Sequence, residues 1–558
     1  MVLLSLLLTV ALGALPQATP ALPEPDLFPE VVVDVPGRPP STHFSAELLY
    51  QGAWTPVYVF ESTSRASKQG TGQPSNGYFS HLVNWTASWV STQLPASPPG
   101  ARVLLRVRRA PGGAPIAAAA IHPASSGAQV LNISGAGVVL ALDRPGRIAV
   151  DMDGELDATD TSATYAGPPR HTFCWFVDAQ LPAAALPDPA APHTLVVRPG
   201  QAWPSGLDPA AWGTVVFAPG VHHAPSPPAN GWTVYSLAAQ TRYFLCAGAV
   251  VHGAFSAGSG AWGQGGVAVG GYGVLSGEEM IRADSPDNSS PQGISFKGLR
   301  NASITGITLV DMPNHHIIAG QADGNELRNV KVLGWRTNGD GVHVFSSWTV
   351  SDLFLRTQDD ALYLTCGEGC AAVFERITVW NDANGVAFLF SPGGGQAQAG
   401  VVLRDSDAIY ARTSWFWWNN GGNNVFVQRG GAQGSVMSGV RVENVRVEDP
   451  LPAFNPFRID LFSPGVTAGT FRDISFTNVT VANFSTIRVD LAGRPLPHGI
   501  PNSLFAAPGG GAMNISNVAF RNVSIAGQGM AALIRDATVF NLSVGNLFNV
   551  TVDGVPIE

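Results

Sequence analysis

The sequence predicts an all-β protein in two parts, a β-sandwich followed by a parallel β-helix. Three observations carry that prediction. Charged residues make up 13% of the 558 positions, about half the share of an average globular domain. Glycine occupies 63 positions. Val, Ile, Thr and Phe are frequent while Lys and Glu are scarce, a balance that favours strands and turns over solvated helices. From about residue 200 a short strand-like unit recurs at nearly constant spacing, the mark of a solenoid.

The elements follow in order. "MVLLSLLLTVALGALPQA", residues 1–18, is an apolar run closing on small residues and reads as a secretory signal peptide. It is shorter than a comfortable membrane span and no later stretch offers one, so the protein is expected outside the cell with no membrane partner. Tripeptides of the form N-x-[ST] begin at Asn84, Asn132, Asn288, Asn301, Asn478, Asn483, Asn514, Asn522, Asn541 and Asn549, a density that favours a secreted glycoprotein. Residues 19–40 are a Pro-rich lead-in. Between 41 and 180, alternating segments such as "FSAELLY", "TPVYVFES" and "ARVLLRVRR" are separated by Pro and Gly turns, as in an antiparallel sandwich. Residues 181–199, opening on "LPAAALPDPAAPHT", read as a linker.

From 200 to 558 the texture changes. "ITGITLVD" (304–311), "LRNVKVLG" (327–334), "VSDLFLRT" (350–357) and "FERITVWN" (374–381) begin at an almost even step, and "VRVENVRVED", "FRDISFTN" and "ISNVAFRN" continue at longer ones. Strands at this period without helix signal indicate a β-helix, with coils stacked about 4.8 Å apart. The spacing of a leucine-rich repeat is missing.

The net charge of −9 and a pI near 5.7 disfavour a polyanionic partner such as nucleic acid and suit a neutral one. Four cysteines, Cys174, Cys246, Cys366 and Cys370, allow two disulfides in an oxidising compartment. "CGEGC" can close Cys366 onto Cys370, leaving Cys174 to Cys246; zinc is the rival reading of that motif.

Candidate chemistry concentrates in "RTNGDGVHVFSSWTVSDLFLRTQDDALYL", residues 336–364. Asp340 lies in a Gly-Asp-Gly turn, and Asp359 and Asp360 lie side by side in the next turn. Registering the following strands places His315, Asp340, Asp360 and Asn384 in one column, with Asp359 one position ahead. Neighbouring strand residues point to opposite faces, so both acids can share one site only if the turn bends there. Clustered carboxylates raise the proton affinity of at least one of them. A protonated acid beside ionised ones is what glycosidic cleavage needs. Calcium binding is the competing use of such a cluster, but calcium-dependent β-helix lyases also need a basic catalytic residue, and no Lys or Arg stands in the column. Trp335, His343, Tyr363, Trp380, Trp415 and Trp417 surround the column in the sequence and, with Asn384, are candidate sugar-contacting residues.

These residues resemble glycoside hydrolase family 49, the dextranase and isopullulanase family. Its signature is a T-D-G turn with a D-D pair at the nineteenth and twentieth positions beyond the turn Asp. Here "NGDGVHV" supplies Asp340, and Asp359 and Asp360 stand at those positions. "TVVFAPGV" (214–221), "GYGVLSGE" (271–278) and "ITVW" (377–380) match as well. The resemblance spans roughly 40–550 and is most specific over 271–390. It implies an N-terminal β-sandwich, a right-handed parallel β-helix, and endo-acting hydrolysis with inversion. Asp359 would be the general acid, and Asp340 and Asp360 would handle the water. The implied partner is a neutral polysaccharide, an α-glucan: first the α-1,6 links of dextran, then pullulan. The expected enzyme is a monomer needing no cofactor or metal. The chain departs from the family at His343, where "DGLEM" has Glu, and at Ala361 and Tyr363, where "DDGLKM" has Gly and Lys. Polygalacturonases also join a β-helix to three Asp, but their G-H-G and R-I-K motifs are missing here. A non-catalytic glycan-binding β-helix is the alternative of a different class, and it would not need three carboxylates in one column.

Overall fold

A computed structural model of the chain describes residues 27–557 apart from 51, 65–84, 95–101, 155–170, 202–211, 225–227, 258–264, 283–289, 321–323, 335, 337, 367–370, 382–384, 392–396, 412–422, 431–432, 450–453, 462–466, 483–511 and 536–545. The expected signal peptide lies outside the described residues.

The alternating N-terminal segments form two five-stranded sheets. Phe44–Tyr50 pairs with Ala53–Val57 and Val103–Arg109, and Gly137–Leu142 and Gln129–Ser134 complete that sheet. In the other, His171–Ala179 lies parallel to Thr86–Leu94 and antiparallel to Gly146–Met152. Their inner faces bury Leu48, Leu105, Leu140, Ile148, Phe173 and Trp175 as one core.

The rest is a parallel β-helix. Among the described residues, one run of 21 strands and a second sheet of nine strands make up its walls. The repeat seen in the sequence is the observed register: Ile304 pairs with Leu327, Leu327 with Val350, and Val350 with Phe374. The next step, from Phe374 to Leu403, is longer. Inward residues stack coil on coil. Phe388, Phe426 and Phe457, for example, repeat at 5.6 Å with nearly parallel rings.

Each coil also needs one turn residue in the left-handed region. Asn329, Asp352, Asp405, Asn444, Asn478 and Asn522 supply it with φ between 50° and 60°, a conformation that Asn and Asp tolerate best after Gly. Their amides form a ladder: Asn444 donates to Asp405 (3.0 Å), Asn478 to Asn444 (2.9 Å) and Asn522 to Asn478 (2.9 Å). A parallel ladder joins Asn549, Asn517 and Asp473. The ladders reinterpret three of the N-x-[ST] tripeptides. At Asn478, Asn522 and Asn549 the pattern arises from a turn Asn, an inward Val and an outward Thr or Ser, so the fold generates it without reference to glycosylation.

The sandwich is docked on the solenoid through a seam that is both apolar and charged. Tyr58, Phe60, Trp89 and Phe176 pack against Val310, Leu333, Phe354, Trp380 and Tyr410. Lys331, fully buried, meets Asp178 at 2.7 Å. Arg147 reaches Asn329 and Asp352 at 2.8 and 2.9 Å, and Arg356 donates to Thr172 at 2.9 Å. Removing one partner of such a buried pair strands the other charge, so the seam fixes the mutual placement of the two parts.

Two expectations need correction. The stretch 181–199 contains the solenoid's first strand, Thr194–Val197, already paired in parallel with Thr214–Phe217. Cys174 and Cys246 are buried and are not joined in a disulfide. Cys174 packs in the seam and Cys246 in the solenoid interior. Cys366 is buried, and Cys370 lies outside the described residues.

Candidate active site

The turn that presents Asp340 is built on a buried arginine. Arg336 donates through Nε and Nη2 to Asp311 Oδ2 (3.1 and 2.9 Å), and further to the carbonyls of Gly277 and Met280. Gly339 N closes the turn onto the Arg336 carbonyl at 2.9 Å. Gly341 is needed for coil packing, since a Cβ there would stand 2.2 Å from the Ala361 carbonyl oxygen. Both glycines of the Gly-Asp-Gly motif therefore have steric reasons.

Asp340 is held by histidines. His343 Nε2 donates to Oδ2 at 2.7 Å, and His315 Nδ1 pairs with Oδ1 at 2.9 Å. The backbone carbonyl of Asp340 accepts from His316 N (2.8 Å) and Nδ1 (2.9 Å). Burial alone would push the Asp340 carboxyl up, but the His315 charge and the two imidazole contacts hold it far below the usual carboxylate range. Burial works against protonation of His315, yet Asp340 raises it above its ordinary value; burial and the neighbouring His315 lower His343. The shared carboxylate thus pulls His315 up while burial and His315 pull His343 down. His343 stacks on Tyr363 with ring centroids 4.7 Å apart.

The second turn bends as the sequence requires. The Asp359 carbonyl accepts from Thr357 Oγ1 (2.8 Å) and Asn381 Nδ2 (2.7 Å), and its Oδ1 accepts from Asp360 N (2.9 Å). Asp360 Oδ1 accepts from Val386 N at 2.9 Å. Gly385, at φ 72°, lies against this pair: a Cβ would be 2.2 Å from Asp360 N. An oxygen from each of Asp340, Asp359 and Asp360 lies within 4.8 Å of the others. That is closer than the roughly 6.5–9.5 Å expected between the acid and base of an inverting enzyme. Burial, then the Asp340 charge, push the Asp360 carboxyl up to about 6. Two cations face the cluster: Arg282 is drawn to Asp359 and Asp340, and Arg429 to Asp360. With both Asp340 oxygens on imidazoles and two arginines nearby, electrostatics disfavour calcium among these carboxylates.

The register brings together some predicted residues and not others. His315, Asp340 and Asp360 stack on successive coils, and His343 and Tyr363 occupy the outward column beside them. Asn384 does not continue the first column. Leu362 pairs with Phe388, which puts Val386 opposite Asp360; the intervening loop is longer than the column assumed. Trp380 is no sugar platform. It is 2% exposed in the seam, against Tyr410 at 4.6 Å and under the Arg356 guanidinium at 4.1 Å, because the sandwich covers that outward face. Trp335, Trp415 and Trp417, like Asn384 itself, lie outside the described residues. Sequence reasoning placed His315 in the column without assigning it a role, and missed Arg282 and Arg429. These arginines arrive from other coils, and no local motif marks them.

No protein-family model matches the chain, and neither does any curated protein. Dex49A from Penicillium minioluteum superposes with a TM-score of 0.68 at 16% identity, over 94% of this chain and 96% of that one. The chain shares the fold of Dex49A. More distant are a family 28 exopolygalacturonase from Yersinia enterocolitica (TM-score 0.45, 11% identity, 95% and 100% coverage) and the catalytic domain of a GH87 α-1,3-glucanase in complex with nigerose (TM-score 0.42, 12% identity, 92% and 83% coverage).

Proposed function

We propose that the chain is a secreted, endo-acting glycoside hydrolase of the family 49 type that cleaves a neutral α-glucan with inversion. The α-1,6 links of dextran are the first substrate and pullulan is the second. One observation carries the reading: three carboxylates meet within 4.8 Å beside an outward His343–Tyr363 stack, and two of them, Asp340 and Asp360, are shifted in opposite directions. Asp340, held as a carboxylate by its two imidazole contacts, can orient the water, and Asp360, with its raised carboxyl, is the stronger base of the pair. Asp359, by the resemblance, protonates the leaving oxygen, and Asp360 shares the water with Asp340. Inversion and secretion rest on the resemblance and the N-terminal apolar run, and the close carboxylate spacing makes stereochemistry a necessary check.

A second assignment has its own support. Asp360 holds a proton up to about pH 6 and could be the donor, with Asp359 in the water pair. Reducing-sugar release from dextran, pullulan and polygalacturonate tests the substrate class, and proton NMR of the first-formed anomer tests inversion. For roles, Asp359→Asn should lower kcat on dextran by at least about 10²-fold and spare substrates with activated leaving groups. If Asp360→Asn shows that leaving-group dependence instead, the acid is Asp360. If all three Asp→Asn variants keep near-full activity, these carboxylates are not the catalytic groups, and if the wild type releases no reducing sugar from any of the glucans, the glycan-binding reading replaces hydrolysis.

A further inference from the structure

Earlier coils carry a second cluster, separate from the carboxylates. His223 follows the strand Gly220–His222, His252 ends Ala249–His252, and Glu279 lies in the loop after Val274–Ser276. The parallel register sets His223 and His252 on adjacent coils, with rings 4.7 Å apart and 2° from parallel. Glu279 Oε2 lies 3.1 Å from His223 Nδ1 and 3.9 Å from His252 Nδ1. Stacked histidines are ordinary in a β-helix. What sets this pair apart is that His252 is 9% exposed and its buried Nδ1, facing the Glu279 carboxylate, makes no hydrogen bond. The side chains of His223 and Glu279 are about half exposed, which leaves an entry path. The adjacent acid Glu278 is engaged by Arg38 at 3.0 Å.

We propose that His223, His252 and Glu279 bind a divalent transition metal of the zinc class, through both Nδ1 atoms and a Glu279 oxygen, with water completing the shell. Two imidazoles and one carboxylate are a borderline donor set that suits zinc or cobalt; calcium and magnesium prefer all-oxygen shells. Ligand atoms at ~2.1 Å from a tetrahedral ion stand roughly 3.4 Å apart. The His223–Glu279 pair already meets that spacing, and the two imidazoles, stacked 2° from parallel, would each turn about the Cβ–Cγ bond to bring their Nδ1 lone pairs onto one ion. The metal would clip three coils together and pin the 277–282 loop. That loop gives the Met280 carbonyl to Arg336 and carries Arg282 to the carboxylates.

The test is titration of the untagged, chelator-treated protein with Co²⁺, followed by visible d–d absorption, and then displacement by Zn²⁺. Thermal unfolding is measured with and without zinc. One equivalent should bind, and zinc should raise the Tm. His223→Ala and Glu279→Gln, both at exposed positions, should weaken binding at least tenfold and abolish the Tm increment while circular dichroism is unchanged. Asp340→Asn should bind as wild type, which separates this site from the His315–Asp340–His343 group. The proposal is overturned by absence of saturable binding, by binding unaltered in both variants, or by binding lost only in Asp340→Asn.

Discussion

Asp360→Asn should make the folded protein more stable above pH 6 while it removes activity. The Asp360 carboxyl, ordinarily at 3.8, is pushed up to about 6 by burial and by the Asp340 charge. The native state therefore keeps a proton that the unfolded chain releases between about pH 4 and 6. Stability falls as pH rises through that window, because the native state binds more protons than the unfolded one. At 1.36 kcal/mol per pH unit the full cost of ionisation above pH 6 is about 3 kcal/mol. Asn carries no charge, and its Oδ1 can still accept from Val386 N, so the variant escapes that cost. For a chain of this length, about 3 kcal/mol corresponds to roughly 2–3 °C in Tm. Calorimetry of wild type and variant from pH 3.5 to 7.5 reads the difference directly. The increment should be near zero below pH 4 and grow to its plateau above pH 6. A difference independent of pH, or a variant less stable at pH 7, would refute the electrostatic account of this site.

Three further outcomes follow from the same geometry. If Asp360 works in the water pair, kcat/KM on dextran should rise as pH increases through about 6; a fall through that range would identify it as the proton donor. Gly385→Ala would force a Cβ to 2.2 Å from Asp360 N at φ 72°. It should displace the Asp359–Asp360 turn and lower kcat about 10²-fold or more with the β-helix signature retained, and full activity would show that the turn tolerates movement. Asp178→Asn leaves Lys331 buried without its counter-charge and should destabilise the protein by about 3–5 kcal/mol. Adding Lys331→Met should recover most of that loss in the same unfolding assay, and an undiminished deficit would deny that the stranded charge is its cause.

Much of the architecture was legible in the chain. The recurrence of strand units at positions 304, 327, 350 and 374 is the register itself, because each inward residue repeats once per coil and loop lengths there are nearly constant. The spacing from Asp340 to the acid pair was readable for the same reason. One coil later the loop lengthens, so Val386 takes the place expected of Asn384. Trp380 was readable as an aromatic near the column; that the sandwich covers its face of the coil and buries it in the seam was not. The N-x-[ST] tripeptides at Asn478, Asn522 and Asn549 carried the left-handed turn of each coil, a meaning visible only once the amides stack.

The sequence by itself determined the β-helix, its register through the carboxylate coils, and the three Asp as the residues of interest. Local steric and apolar periodicities specify these, and they act within one coil and its neighbours. Tertiary structure alone decided which carboxyl holds the proton. That depends on the His315 and His343 contacts to Asp340, on burial, and on Arg282 and Arg429, charges brought by distant coils. Electrostatic energy follows distance and burial in space, which local spacing along the chain does not encode.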